Sequence, residues 1–503
     1  MIDPARLARL EALVDDEGVA GMLAVIDKKL PVGVRPRQLR VRSLLLGMLL
    51  AQDDGRPAHL SRVHEALVLL PEADRRRLGV SVEWKAAPHT LTYRQVEYTS
   101  HLVARVLGKD DSDGTPTDAL QGLCDTLCEA SVVAAATLST SLAVDWTDVE
   151  SFSARRRKQD GTYADGEAAW GHRKGGGPGE KDELFFGYYL SLATMVRDEP
   201  GEEVPELVRR MNLVGCNHDP VPAMTGVLAA MADETTPLGD VVADSGYANR
   251  VPEHFALPLR AKGASLVMDL HPHDRGRQGT FRGAVAFNGN LYCPMTPQAL
   301  FELGTLARTA SKEDTVTHDA RAVELARYKL PSATAPDADG YQRVCCPAVT
   351  GKLRCPLRTA SMALPFERPE VLCPPEHPPA CCTQLTITVP ATVNAKTAQK
   401  HDYPSAAWRR SYARRSAAER SNARIKDPAT IDVSRGWCRM MGLVPLSLFL
   451  ACALVVRNLA VTNAFEKRHA DDERRVHAGL APRHRRRRRT TIRALVGEAN
   501  APP

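Results

Sequence analysis

The spacing of apolar residues changes character along the chain. From residue 1 to about 130 they recur at three- and four-residue intervals, in ARLARLEALV, LRVRSLLLGMLLAQ and LSRVHEALVLL, with Pro and Gly breaks between. That period predicts amphipathic helices and an α-helical N-terminal domain, 1–130. From Thr137 the pattern becomes strand-like, in TLSTSLAVDWTD, LFFGYYLSLATMV and PELVRRMNLVG. Such runs in succession predict an antiparallel meander. A helix over VPAMTGVLAAMAD, a short strand ending in VVADSGY and another in GASLVMDLHPHD follow, so residues 137–271 read as a mixed α/β layer.

Between 272 and 400 the order dissolves into Pro, Cys and Gly-rich sequence with short strand candidates, AVAFNGNLYC, YQRVCCPAV and QLTITVPATV. That is too long for a connection and predicts an inserted, β-containing subdomain. Residues 401–465 return to helical texture, including the apolar run MMGLVPLSLFLACALVV, Met440 to Val456. The run is short for a bilayer, carries Pro445 and is closed by Arg457 and Asn458, so a buried helix and no membrane partner are expected. The glycine-rich HRKGGGPGEKDE lacks the lysine and hydroxyl of a nucleotide-binding loop and reads as an excursion. HPHD, His271 to Asp274, reads as a loop as well.

With 503 residues and 44% hydrophobic content the chain can bury large cores, on the order of three domains. This excludes a peptide or a disordered tail. The start MIDPARLARLEALVDDEG has no apolar stretch after a basic flank, so a cytoplasmic protein with reduced thiols is expected. The net charge of +6 is modest. Cations concentrate in RHRRRRRTTIR, Arg483 to Arg493, within a basic flexible tail, 466–503, suited to a nucleic-acid backbone.

The candidate chemistry lies in acids. Asp145 is expected at the end of the strand SLAVD and Asp244 at the end of VVAD. SYARRSAAERSNARIKDP, Ser411 to Pro428, is expected as a helix on which Tyr412, Arg415, Glu419 and Lys426 form one stripe, since each residue turns a helix by about 100°. The bland reading is a solvated face with an Arg415–Glu419 pair. The other is that Glu419 joins Asp145 and Asp244 in a cluster of hard oxygen ligands, suited to Mg²⁺ or Mn²⁺. Asp148, Glu150, Asp240 and Asp269 rank lower, because they stand off the strand ends or lack a motif.

Tyr412, two residues, Arg415, three residues, Glu419, six residues, Lys426 resembles the Y(2)R(3)E(6)K signature of DDE transposases of bacterial insertion sequences, with every gap kept. AVDWTD and ADSGYAN resemble the contexts of that family's first and second aspartates. The resemblance spans 137 to about 465. It implies an RNase H-like mixed sheet flanked by helices and interrupted by a β-rich insertion, with the helical domain in front. It further implies two divalent metals on Asp145, Asp244 and Glu419, and contact of Tyr412, Arg415 and Lys426 with transposon-end DNA. The expected partners are terminal inverted repeats and target DNA, handled by a homodimer on paired ends in the bacterial cytoplasm, associated with the nucleoid when bound. A non-catalytic end-binding repressor and a metal-dependent nuclease without strand transfer are the rival expectations.

Cys345, Cys346, Cys355, Cys373, Cys381 and Cys382 crowd into the insertion. Their gaps are not those of two-residue zinc knuckles, so unliganded thiols are favoured over Zn²⁺. A zinc site would draw on Cys346, Cys355, Cys373 and Cys381, or on three thiols with His377.

Overall fold

The computed structural model describes residues 3–483 except 32–37, 85–86, 110–112, 134–137, 154–162, 174–180, 233–235, 308 and 338. The arginine run beyond Arg483 and the centre of the glycine-rich excursion lie outside the described residues.

The N-terminal region forms α1 (Pro4–Val14), α2 (Glu17–Lys29), α3 (Val41–Asp53), α4 (Leu60–Val68), α5 (Glu72–Arg77), α6 (Tyr93–Leu107) and α7 (Asp118–Val133). Asp3 and Asp16 cap the first two helices with their carboxylates. A hairpin of β1 (Ser81–Trp84) and β2 (Ala87–Thr90) stands between α5 and α6, and no strand was expected there.

The main sheet contains β3 (Leu142–Glu150), β4 (Ala169–Arg173), β5 (Glu183–Met195), β6 (Val208–Gly215), β7 (Asp240–Ala243) and β8 (Ser265–Met268). β5 is antiparallel to β3, β4 and β6, which confirms the predicted meander. β4 and β6 pair with successive halves of β5, so the order across the sheet is β4 or β6, β5, β3, β7, β8. β7 and β8 run parallel to β3. The links from β6 through α8 (Pro220–Met231) to β7, and from β7 through α9 (Ser245–Ala248) and α10 (Ala256–Ala261) to β8, supply the crossovers that parallel pairing needs.

Residues alternate between the two faces of the sheet. Leu142, Val144, Val241 and Ala243 join the core of α8 to α10. Ala143 and Val242, one position away, join the core of α13 (Ala406–Tyr412) and α14 (Ser416–Lys426). Leu190, Leu192, Met211 and Leu213 belong instead to the largest core, shared with the N-terminal helices and α15 (Leu443–His477).

α15 contains the apolar run and extends beyond it. Residues 466–477, expected in the flexible tail, are its last turns. By length and composition the helix could cross a membrane, but its most apolar window is 78% buried within this fold. Asn458 takes both backbone groups of Val208 on β6, donating to its carbonyl at 2.8 Å and accepting from its N–H at 2.9 Å. A buried polar pair of that kind faces the sheet, in keeping with the helix as core.

The insertion carries β9 (Arg277–Phe281), β10 (Ala284–Phe287) and β11 (Asn290–Tyr292) in one sheet, and β12 (Gln342–Cys345) paired with β13 (Thr386–Val389) in another. The predicted strands are present. The 17-residue α11 (Lys312–Tyr328) was not anticipated, because it buries only Leu325 and Tyr328 and so shows no apolar stripe. A capping box of Ser311 and Asp314 starts it. The short α12 (Ala380–Thr383) precedes β13.

Candidate active site

Strand register brings the two aspartates together. Ala143 pairs with Val242 across β3 and β7, and two further steps along each chain reach Asp145 and Asp244. Both continue the parity of Ala143 and Val242, which places them on the face that α14 covers. Asp145 does not end its strand as expected: β3 continues to Glu150, because the antiparallel ladder with β5 extends beyond the short β7.

Asp244 follows β7 directly and caps α9, its Oδ1 accepting from the N–H of Gly246 at 2.9 Å and of Tyr247 at 3.3 Å. The cap leaves Oδ2 directed elsewhere. Gly246 is required here, since a Cβ would lie 2.3 Å from the Trp146 ring.

The predicted single helix over 411–428 is divided. α13 ends at Tyr412, a 3₁₀ turn covers Ala413–Arg415, and α14 ends at Lys426. Buried Arg414 anchors the turn, donating to Asp240 Oδ2 at 2.7 Å and to the Arg197 carbonyl at 2.9 Å. Lys400 shares Asp240 at 2.8 Å. Asp240 is therefore an ion-pair residue. α14 approaches the sheet closely through Ala417, Ala418 and Ser421, which are small and buried.

The three acids converge on one cation. Arg415 Nη2 lies 3.4 Å from Asp145 Oδ2 and 3.4 Å from Asp244 Oδ2, while Nη1 lies 2.5 Å from Glu419 Oε1. Glu419 is 58% exposed, whereas Asp145 is 15% exposed. Asn422 completes the site, donating to Asp145 Oδ2 at 3.2 Å, while its Oδ1 and Arg415 Nε are buried without partners. Asn422 was missed, although it stands seven residues after Arg415 and three after Glu419 on the same stripe.

Burial pushes Asp145 up to about 6; Arg415 opposes that rise, and the negative charges of Asp244 and Glu419 add to it. Burial alone would lower Arg415, but Tyr412 and the three acids together raise it. Three carboxylates thus share one guanidinium, and the site is short of positive charge.

Lys426 donates to Asp148 Oδ1 at 2.7 Å, and Arg173 Nε holds the same carboxylate at 3.0 Å. Asp148 and Glu150 are both ion-paired to Arg173. Asp269 accepts from the Tyr403 hydroxyl at 2.9 Å. Tyr412 stacks on Trp408 with centroids 4.8 Å apart and planes at 13°, so one ring face is already covered.

A divalent cation suits this donor set of hard oxygens that lack counter-charge. With Arg415 bridging the acids, no group of three or more His, Cys, Asp or Glu side chains among the described residues is arranged to hold a metal. Of the cysteines on which a zinc site would draw, Cys346, Cys355 and Cys381 are buried and Cys373 is exposed. Compared with protein-family models, curated proteins and solved structures, the chain shows no significant match.

Proposed function

We propose that the chain is a DDE-type DNA transposase that cuts the ends of its insertion sequence and joins them to target DNA. The observation that carries this reading is the meeting of Asp145, Asp244 and Glu419 on Arg415, from three segments far apart in sequence. A six-stranded sheet in which β5 runs antiparallel to β3, β4 and β6 while β7 and β8 run parallel to β3, covered at the acids by a late helix, supports the RNase H-like reading. A purely DNA-binding module gains nothing from three acids that repel phosphate.

Asp145, Asp244 and Glu419, with Asn422 Oδ1 beside them, would hold Mg²⁺ or Mn²⁺. The chemistry supplied there is activation of the attacking water or hydroxyl and stabilisation of the leaving oxygen. The chain's own residues do the rest. Arg415, released from the carboxylates, is placed to take a phosphate oxygen of the scissile strand, and bidentate guanidinium contacts fix such a group in orientation. Lys426 can exchange Asp148 for a second phosphate. Tyr412, held by Trp408, offers its hydroxyl to the DNA.

The test is cleavage of labelled DNA carrying the sequences that flank the element, with Mg²⁺, Mn²⁺ or EDTA, comparing the protein with Glu419→Ala. Metal-dependent nicking at the repeat boundary, lost in the variant, is expected. End binding without cleavage under any metal would establish the repressor instead, and cutting indifferent to the ends a plain nuclease.

A further inference from the structure

The insertion repeats one local structure around three of its cysteines. Cys293, Cys346 and Cys355 are each followed by proline, in CPMT, CPAV and CPLR. Each opens a β-turn: Thr296 N donates to Cys293 O at 3.1 Å, Val349 N to Cys346 O at 3.0 Å, and Arg358 N to Cys355 O at 2.9 Å. Proline presets the backbone at the second position of such a turn. Burial raises all three thiols, and the N–H two residues on, of Met295, Ala348 or Leu357, works against that rise. A nearby amide N–H favours the thiolate over the neutral thiol.

Cys293, Cys346 and Cys355 pack within one buried cluster. Cys293 lies within electrostatic reach of Cys346, Cys355 and Cys382, and Cys355 within reach of Cys346 and Cys382. All four are buried. Of the neighbouring thiols, Cys345 Sγ is directed to the Pro331 carbonyl at 3.7 Å and Cys373 is exposed, while buried Cys381 lies 3.9 Å from Cys382, the one of that pair that also acts on Cys355. Arg358 acts on Cys346, Cys355 and Cys382, and its Nε is buried without a partner.

We propose that Cys293, Cys346, Cys355 and Cys382 form a four-thiolate site for one structural Zn²⁺, which ties the two small sheets of the insertion together. Soft sulfur ligands in a closed tetrahedral set are what structural zinc takes. As the thiols stand, no three are spaced to share an ion, so the sulfurs turn inward about their Cα–Cβ bonds on binding. Four S–H protons leave to solvent, and the ZnS₄ group carries two negative charges, partly offset by Arg358. The set differs from the one a zinc site would draw on by sequence, because Cys293 lies outside the crowded segment, Cys382 takes the place of Cys381 and Cys373 drops out. It does not depend on the transposase reading.

The experiment is elemental analysis of the full chain, expressed with added zinc and purified without chelator. About one equivalent of zinc is expected. A Cys355→Ser/Cys382→Ser double variant should fall to background, whereas Cys345→Ser and Cys373→Ser should keep the metal. Should the double variant fail to fold, Co²⁺ reconstitution of the unaltered chain decides, since the tetrahedral four-thiolate spectrum is expected. Zinc below about a tenth of an equivalent, full zinc in the double variant, loss in Cys373→Ser, or a Co²⁺ spectrum lacking thiolate charge-transfer bands would each overturn the site.

Discussion

Arg415→Gln tests whether the three acids share a charge. In the metal-free protein Arg415 is the cation nearest Asp145 and Asp244, at 3.4 Å from each, and the three side chains are 17%, 15% and 28% exposed. Removing one partner of a mostly buried pair costs about 3–5 kcal/mol. The Trp146 N–H at 3.0 Å and Asn422 at 3.2 Å stay on Asp145, so the lower end, about 3 kcal/mol, is expected in urea unfolding at pH 7.5. Glu419, largely exposed, adds little.

Two arms of the same assay separate this cause from general damage. Mg²⁺ at about a hundred times its dissociation constant stabilises a folded binder by about 2.7 kcal/mol, so it should return the variant close to the metal-free parent. Acid should help as well. Asp145 already stands at about 6 with Arg415 present, and loss of that cation raises it further. Between pH 7.5 and 5 the carboxyl therefore takes up its proton in the folded state first, the repulsion with Asp244 ends, and the deficit shrinks. A variant as stable as the parent at pH 7.5, or a deficit unchanged by metal and by acid, would refute the shared-charge reasoning.

Asp125 has its pKa raised by burial from 3.8 to about 6, against the attraction of Arg210; its folded value exceeds the unfolded one, so stability is fullest below pH 3.8 and is lost as pH rises to about 6. Asp125→Asn should flatten that part of the stability profile and gain up to about 3 kcal/mol at pH 7, and an unchanged urea profile would sink the idea. Gly246→Ala should cost about 1–3 kcal/mol by overpacking Trp146 and reduce DNA cleavage by more than its stability loss implies, because Asp244 caps the same turn; wild-type cleavage rates would argue against it. Asp240→Ala leaves Arg414 and Lys400 without their shared carboxylate and should cost about 3–5 kcal/mol in urea, with a loss within 1 kcal/mol, about the worth of a surface pair, showing that the turn before α14 is anchored elsewhere.

What the sequence disclosed follows from where periodicity is informative. The meander, α8, β7, β8 and α15 announce themselves because each buries a regular apolar face, and the Tyr412 to Lys426 spacing is legible because a helix repeats. α11 is invisible by the same reasoning, since solvent on most sides leaves only Leu325 and Tyr328 to mark it. The break at Ala413–Arg415 has no Pro or Gly to signal it; it is set by Arg414 reaching Asp240, a contact across 174 residues. Asn422 was readable on the stripe, but amides carry no motif weight beside carboxylates. The thiol set we propose was not legible, because Cys293 is 53 residues from Cys346 and only the fold packs it with Cys346 and Cys355.

The site acids are positioned by different forces, and this bears on how the site works. Asp145 is fixed by strand register and by two donors, and Asp244 by the cap it makes. The depth of α14 is set by a buried polar clamp: Ser421 Oγ meets Thr194 of β5 at 2.9 Å and Arg457 of α15 at 2.7 Å. Burial lowers Arg457 to about 10, and the clamp offsets part of that cost by taking Nη2, while Nε stays buried without a partner. Glu419, by contrast, is the exposed member, and among the described residues its ion pair is with Arg415. Catalytic groups need placement within about 0.5 Å. On the transposase reading we propose, Glu419 is the acid that substrate and cation order, and Arg415 is the group whose departure lets them do so.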